Sequence, residues 1–194
     1  MIKFFSKIWR DHYLKFILSF IVLSILFYAF NDLFIGATAK GGVYIPFLDE
    51  HLNYIKWWRH FTIESTATVL RWMGHTVITN EYQLRVIGRA GFTLVYSCLG
   101  YGIMGIFAAF TLSYPKPFKK KIIFLIFGLV LIQILNITRL VLLSLFWKRN
   151  AYNLPIDHHD LFNLIVYLIL ILTTYLWIKV SKDQTTETTK PVKF

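Results

Sequence analysis

The chain has 194 residues, of which 56% are hydrophobic and only 16% are charged. Soluble domains carry about 25% charged residues, so this composition argues against a water-soluble globule and for a chain in lipid. The net charge is +11, but most Lys and Arg residues stand beside the hydrophobic stretches. That placement is typical of membrane topology and not of a nucleic-acid groove. The single cysteine excludes an intrachain disulfide and a multi-cysteine metal site.

Four stretches are apolar for long enough to cross a bilayer, since a spanning helix needs about 20 mostly apolar residues. They cover residues 14–35, 92–114, 122–147 and 161–180. We therefore predict an all-α membrane protein with a single transmembrane domain, residues 1–180. The polar residues 181–194 are predicted to form a disordered cytoplasmic tail.

Positive charge is concentrated in three segments that a four-span chain places on one side of the membrane. These are the N-terminal tail, the connection PKPFKKK after the second span, and the C-terminal tail. Short cytoplasmic segments retain Lys and Arg, so both termini are predicted to lie in the cytoplasm of a multi-pass plasma (inner) membrane protein. A signal-peptide interpretation of the first span, with Ala37-Thr38-Ala39 as its cleavage site, is disfavoured. Its apolar stretch exceeds the usual ~7 to 15 residues, and we expect an uncleaved anchor.

The segment between the first two spans, residues 37–91, is predicted to be extracytoplasmic. Residues 50–73 mix aromatic and basic side chains, which indicates an amphipathic helix at the level of the lipid headgroups. Substrate binding by this helix is the alternative. Residues 76–94, which include Gly88 and Gly91, are expected to form a short extended or hairpin-like excursion.

Arg139 lies within the third predicted span. A central Arg costs about 2.5 to 3.5 kcal/mol on insertion scales, so such residues usually face a polar interior and serve a function. Snorkelling to the interface is the alternative. With a rise of ~1.5 Å per residue, however, Arg139 lies about 12 Å below Trp147, which is long for a relaxed snorkel. Asn136 shares its helix face and could hold the guanidinium or bind another helix.

Cys98 is expected at a similar depth on the outer side. It follows Gly91 by seven residues, which corresponds to about 10 Å along a helix. A lone cysteine in an apolar span is commonly inert packing. The thiolate is nevertheless a nucleophile, and a nearby guanidinium stabilises it.

The last span is introduced by NLPIDHHDLFN. Pro155 suits the first helical position and Asn153 could cap it, so His158 and His159 fall in the first turns. A neutral imidazole there can take up a thiol proton and later return one. A metal site in DHHD is disfavoured because contiguous ligands on a helix diverge and no second cluster appears. We predict no metal and no cofactor.

With Cys98, Arg139 and the two histidines on successive spans at one face of the membrane, the chain resembles the exosortase and archaeosortase family as a compact bacterial member. The resemblance covers about residues 71–175 and rests on the strings YSCLGYG, NITR and DHHDLFN. It implies Cys98 as nucleophile, Arg139 as partner of the thiolate or oxyanion, and His159 as acid and base. His158 is the alternative to His159.

Two departures from the family pattern bear on substrate choice more than on chemistry. Leu99 stands where many relatives have a small polar residue, and Asn163 stands where many have Gly.

The resemblance also implies an activity and its partners. A membrane cysteine peptidase or transpeptidase would cleave the C-terminal sorting signal of an exported protein that carries a transmembrane tail. The acyl group would pass from Cys98 to an amine, glycan or lipid acceptor at the extracytoplasmic side. Two alternatives keep the fold: a catalytically silent membrane assembly or scaffold protein, and a small transporter or lipid-binding bundle that uses Arg139 for an anionic headgroup. In the latter, Cys98 is dispensable.

Overall fold

The computed structural model describes residues 12–39, 43–89, 91–146 and 158–187, and the described chain is mainly helical, as predicted. Two compact units are present, Met1–Ala151 and Tyr152–Phe194. In chain order, the first unit contains α1 (His12–Thr38), α2 (Pro46–His51), α3 (Tyr54–Trp72), β1 (Val77–Thr79), β2 (Gln83–Val86), β3 (Phe92–Thr93), a 3-10 turn (Tyr96–Leu99), α4 (Tyr101–Ser113) and α5 (Phe118–Phe146). The second unit contains α6 (His158–Glu187).

Two helices of the described chain are long and apolar enough to cross a bilayer, namely α1 and α5. Helix α1 contains the predicted first span, and α5 covers residues 122–146 of the predicted third span. Large apolar side chains of α1 are exposed along its length, including Ile25, Leu26 and Leu33. Such a contiguous apolar surface is rare on a soluble monomer and suits contact with lipid.

The second predicted span, residues 92–114, is α-helical only over Tyr101–Ser113. The residue before this helix, Gly100, has a φ of 82°, a left-handed conformation that a right-handed helix cannot include. Thirteen helical residues reach about 20 Å at ~1.5 Å per residue. Cys98 therefore lies in the turn before α4, and a depth derived from a helical rise does not apply to it.

The fourth predicted span lies within α6, whose apolar portion is Asn163–Lys179. The helix continues to Glu187, into the segment for which we predicted disorder. No Gly or Pro interrupts residues 158–187, and the first helix breaker is Pro191. Residues 188–194 lie outside the described part of the chain. The number of membrane crossings stays a prediction.

Helix α4 packs against both long helices of its unit. Its Phe107 covers Gly128 of α5 so closely that a Cβ at Gly128 would overlap the ring. On the α1 side, Phe110 makes edge contacts with Phe16 and Phe20, at centroid distances of 5.6 and 6.1 Å. Glycine and aromatic rings thus bring the three helices into close contact.

The predicted extended excursion, residues 76–94, contains a three-stranded antiparallel sheet in the order β1-β2-β3. Strand β2 alternates exposed and buried residues, so Leu84 and Val86 face the protein. The sheet packs on α3, where Thr79 donates a 2.7 Å hydrogen bond to Glu64. That hydrogen bond lowers the pKa of Glu64.

One face of α3 is buried against the sheet and α5, through residues such as Ile63, Ala67 and Leu70. The opposite face exposes Trp57 and Phe61. Placement of this helix at the headgroups stays a prediction. The core shared by α3, the sheet and α5 also contains Cys98, so the residue singled out by the sequence lies inside it.

Candidate active site

The 3-10 turn Tyr96–Leu99 holds the only cysteine of the chain. It is bounded by extended Val95 on one side and left-handed Gly100 on the other. The Cys98 N–H donates a 3.0 Å hydrogen bond to the Val95 carbonyl, and the Cys98 side chain is only 8% exposed. The sequence therefore sets Cys98 on a tight turn immediately before helix α4, with a buried thiol.

Arg139 reaches this thiol from α5. Its Nη2 lies 3.9 Å from Cys98 Sγ, and the Arg139 side chain is half-buried. A thiolate is the nucleophilic form of cysteine, and a guanidinium is a chemically suitable partner for its negative charge. It also offers several N–H donors in a fixed plane, which suits binding of an oxyanion. The arrangement can thus support nucleophilic attack by the Cys98 sulfur on a substrate.

Asn136 lies one helical turn before Arg139, as its spacing predicted. Its Nδ2 donates a 3.1 Å hydrogen bond to the carbonyl of Cys98, and Asn136 is buried. Asn136 thereby fixes the main chain at the cysteine. Its expected roles, holding the Arg139 guanidinium or binding another helix, stay predictions.

Trp58 of α3 also holds the turn, and sequence reasoning missed it. Its Nε1 donates a 3.4 Å hydrogen bond to the carbonyl of Leu99. Helix α3 is also tied to α5, because Gln133 of α5 donates to Thr62 of α3 at 3.0 Å. Consecutive carbonyls of the turn, those of Cys98 and Leu99, are thus held from two different helices.

We expect loss of the Trp58 hydrogen bond to loosen the turn. Trp58→Phe keeps an aromatic ring but removes the N–H donor, at a cost of about 0.5 to 1.5 kcal/mol. Local opening should then be about two- to tenfold more frequent. Hydrogen-deuterium exchange of the peptide containing Cys98, measured in lipid nanodiscs, reports this change.

Trp57 provides the matched control because it is the neighbouring Trp on α3 and is 69% exposed. Trp57→Phe should leave the exchange of the Cys98 peptide at the wild-type rate. Equal exchange in both variants would contradict the role given to Trp58.

His158 and His159 open α6, where the sequence placed them. Asn153 and Pro155, the predicted cap and first helical residue, lie outside the described residues. The acid and base role of the histidines stays a prediction. Across the described ranges, no group of three or more His, Cys, Asp or Glu side chains forms a candidate metal site.

The fold and the Cys98 turn define a mainly helical membrane protein in which a buried thiol meets a guanidinium. The family model of transmembrane exosortases (Exosortase_EpsH) matches residues 10–176. The chain therefore belongs to the transmembrane exosortase family, as its sequence motifs led us to expect. Membership indicates a membrane transpeptidase that acts on sorting signals. No curated protein and no solved structure shows a significant similarity to the chain.

Proposed function

We propose that this chain is a membrane cysteine transpeptidase that cleaves the C-terminal sorting signal of exported proteins and transfers them to an acceptor. Cys98 is the nucleophile, Arg139 stabilises the thiolate and the oxyanion, and His159 is the acid and base, with His158 as the alternative. The observation that carries the proposal is the 3.9 Å approach of Arg139 Nη2 to Cys98 Sγ. Its context is a chain of the exosortase family.

The reaction proceeds in two acyl-transfer steps. The Cys98 thiolate attacks the scissile carbonyl, and Arg139 donates hydrogen bonds to the oxyanion. Collapse breaks the peptide C–N bond, and the protonated imidazole gives its proton to the leaving amine. An amine or hydroxyl of the acceptor then loses a proton to the imidazole and attacks the thioester, which returns the thiolate of Cys98. No redox step and no cofactor is required.

Substrate delivery explains why this chemistry is placed in a membrane protein. A substrate anchored by its own transmembrane tail has its scissile bond held near one bilayer interface. Restriction to that interface raises the effective concentration of the bond at the enzyme. The exported protein would then be transferred to an amine, glycan or lipid acceptor.

A covalent adduct on Cys98 tests the proposal directly. When the purified enzyme in lipid is mixed with a sorting-signal substrate without acceptor, we expect an acyl-enzyme. Mass spectrometry should find the substrate's N-terminal fragment on Cys98, the only cysteine of the chain. Cleavage of the substrate without any adduct at Cys98 would contradict the mechanism.

The histidines are assigned by the same measurement. His159→Ala should prevent adduct formation because the leaving amine no longer receives a proton. His158→Ala should be milder. The reverse order would give the catalytic role to His158.

We also predict the topology on which the proposal depends. With both termini in the cytoplasm, residues 43–89 and the Cys98 turn lie on the extracytoplasmic side. A reporter active only after export should give a signal when inserted at Asn80–Glu81, in the exposed connection between β1 and β2. A reporter active only in the cytoplasm should give a signal at the C-terminus. Inversion of the two signals would place the site on the wrong side for exported substrates.

A further inference from the structure

A groove of about 270 Å³ lies between α1 and α4. The two helices are antiparallel there. Tyr54 links their ends at the Cys98 turn, since its hydroxyl donates to Asn31 at 2.8 Å and its ring meets Tyr101 edge-on. Farther from the Cys98 turn the two helices lie close together, since a Cβ added to Gly105 would lie 3.5 Å from Phe27 Cβ. The lining residues are Ser24, Phe27, Tyr28, Asn31, Asp32, Ile35, Tyr96, Ser97, Tyr101, Gly102, Gly105 and Ile106.

The polarity of the lining residues differs between the two ends of the groove. Its end near the Cys98 turn has polar lining residues, including Asn31, Asp32 and Ser97, and Ser97 directly precedes Cys98. Its other end is lined by the apolar side chains of Phe27 and Ile106, together with Ser24, Tyr28 and Gly105, and has no charged residue. A ligand that fits both ends has a polar part beside the nucleophile turn and an apolar part that extends along the helices.

We propose that this groove binds the substrate chain on the C-terminal side of the scissile bond, at the start of its transmembrane tail. This inference rests on the proposed function. A sorting signal has the required order, because the cleaved polar segment is followed by an apolar span. Its backbone N–H groups are donors for the Asp32 carboxylate, the one charged side chain among the lining residues. A lipid with an anionic headgroup would bring a second negative charge beside Asp32, which disfavours it as occupant.

Gly102 of α4 gives this tail the room to approach. A Cβ added at Gly102 would meet no atom within 4 Å, so this wall of the groove is open space and not occupied by the protein itself. Small residues on a membrane helix allow a second helix to approach closely. Gly102 and Gly105 are one turn apart and both line the groove.

Gly102→Leu tests the proposal because Gly102 lines the groove, so a larger side chain there occupies space that the tail needs, while its Cβ meets no atom of the enzyme within 4 Å. We expect at least a tenfold loss in the kcat/KM for substrate processing, carried mainly by a higher KM. Gly36→Leu is the control, since a Cβ at Gly36 of α1 also meets no atom within 4 Å and Gly36 does not line the groove. It should process substrate at the wild-type rate. Normal processing by Gly102→Leu overturns the proposal.

Failure of the groove and failure of the proposed function give different results. If Cys98→Ser is inactive and Gly102→Leu is normal, the groove proposal alone is wrong. If Cys98→Ser processes substrate normally, the proposed chemistry is wrong.

Photo-crosslinking tests the occupant without adding bulk at Gly102. A benzophenone side chain replaces Ile106, which lines the groove, or Ile126 of α5, which does not. Both positions are 58% exposed, so they are equally open to lipid. We expect a covalent substrate adduct from position 106 and none from position 126. Lipid adducts alone at position 106, or equal substrate adducts from both positions, overturn the proposal.

Discussion

Replacement of Cys98 by Ser is expected to abolish processing, with unprocessed substrate accumulating in the membrane. The exchange keeps the size and shape of a side chain that is only 8% exposed, so packing of the turn should survive. A Ser hydroxyl is a much weaker nucleophile than a thiolate, and Arg139 cannot compensate because a hydroxyl is not ionised at neutral pH. Loss of a nucleophile commonly lowers kcat by roughly a thousandfold or more. Pulse-labelled substrate, followed by its change in mass, gives the measurement.

The amount of Cys98→Ser protein in the membrane is the necessary control, and it should equal that of the wild type. Processing at the wild-type rate by this variant would contradict the enzyme hypothesis. A scaffold or a lipid-binding bundle, neither of which needs a thiol, would then be the better interpretation.

Arg139→Lys should lower processing about a hundredfold or more while insertion into the membrane stays normal. Both side chains are cations, so the cost of placing the charge in the helix is similar. The ammonium of Lys cannot reproduce the planar set of donors that Arg presents to an oxyanion. Removal of one oxyanion donor typically costs about a hundred- to a thousandfold in kcat. Steady-state processing by purified enzyme in lipid measures the loss.

Arg71→Lys is the matched control, since Arg71 is exposed on α3 and pairs with Glu64 at 3.4 Å. An exposed ion pair contributes at most about 1 kcal/mol, and Lys can maintain it. Arg71→Lys should therefore process substrate normally. If Arg139→Lys also processes substrate normally, Arg139 is a snorkelling residue without a role at the sulfur.

The long helices were predictable from the sequence, whereas the start of α4 was not. Residues 14–35 and 122–147 are apolar for longer than any strand or core helix of a small globule. Helix α1 contains the first range, and α5 covers residues 122–146 of the second. Residues 92–100 are also largely apolar, so hydropathy alone cannot separate them from the helix that follows. The local signal for the break is Gly100, and a glycine is compatible with either conformation until its φ is known.

The contacts around the Cys98 turn were likewise only partly predictable from the sequence. The sequence led us to expect Arg139 near Cys98, and their side chains are 3.9 Å apart. The estimate of equal depth assumed an α-helix at Cys98, where the chain forms a 3-10 turn, so the order of the motifs was the better guide. Trp58 could not be predicted, because its contact with the Leu99 carbonyl depends on how α3 docks 41 positions away along the chain. A pattern of aromatic and basic residues indicates an amphipathic helix but does not identify its partner.

The two hydrogen bonds that hold the Cys98 turn also bear on biogenesis. Asn136 comes from α5, whereas Trp58 comes from the segment that the predicted topology sends across the membrane. On the predicted topology, both hydrogen bonds can form only after that segment has been translocated and α3 has docked. A newly made or misinserted chain then carries a cysteine without its full support. Under the proposed function and topology, the nucleophile turn would be completed only on the side of the membrane to which exported substrates are delivered.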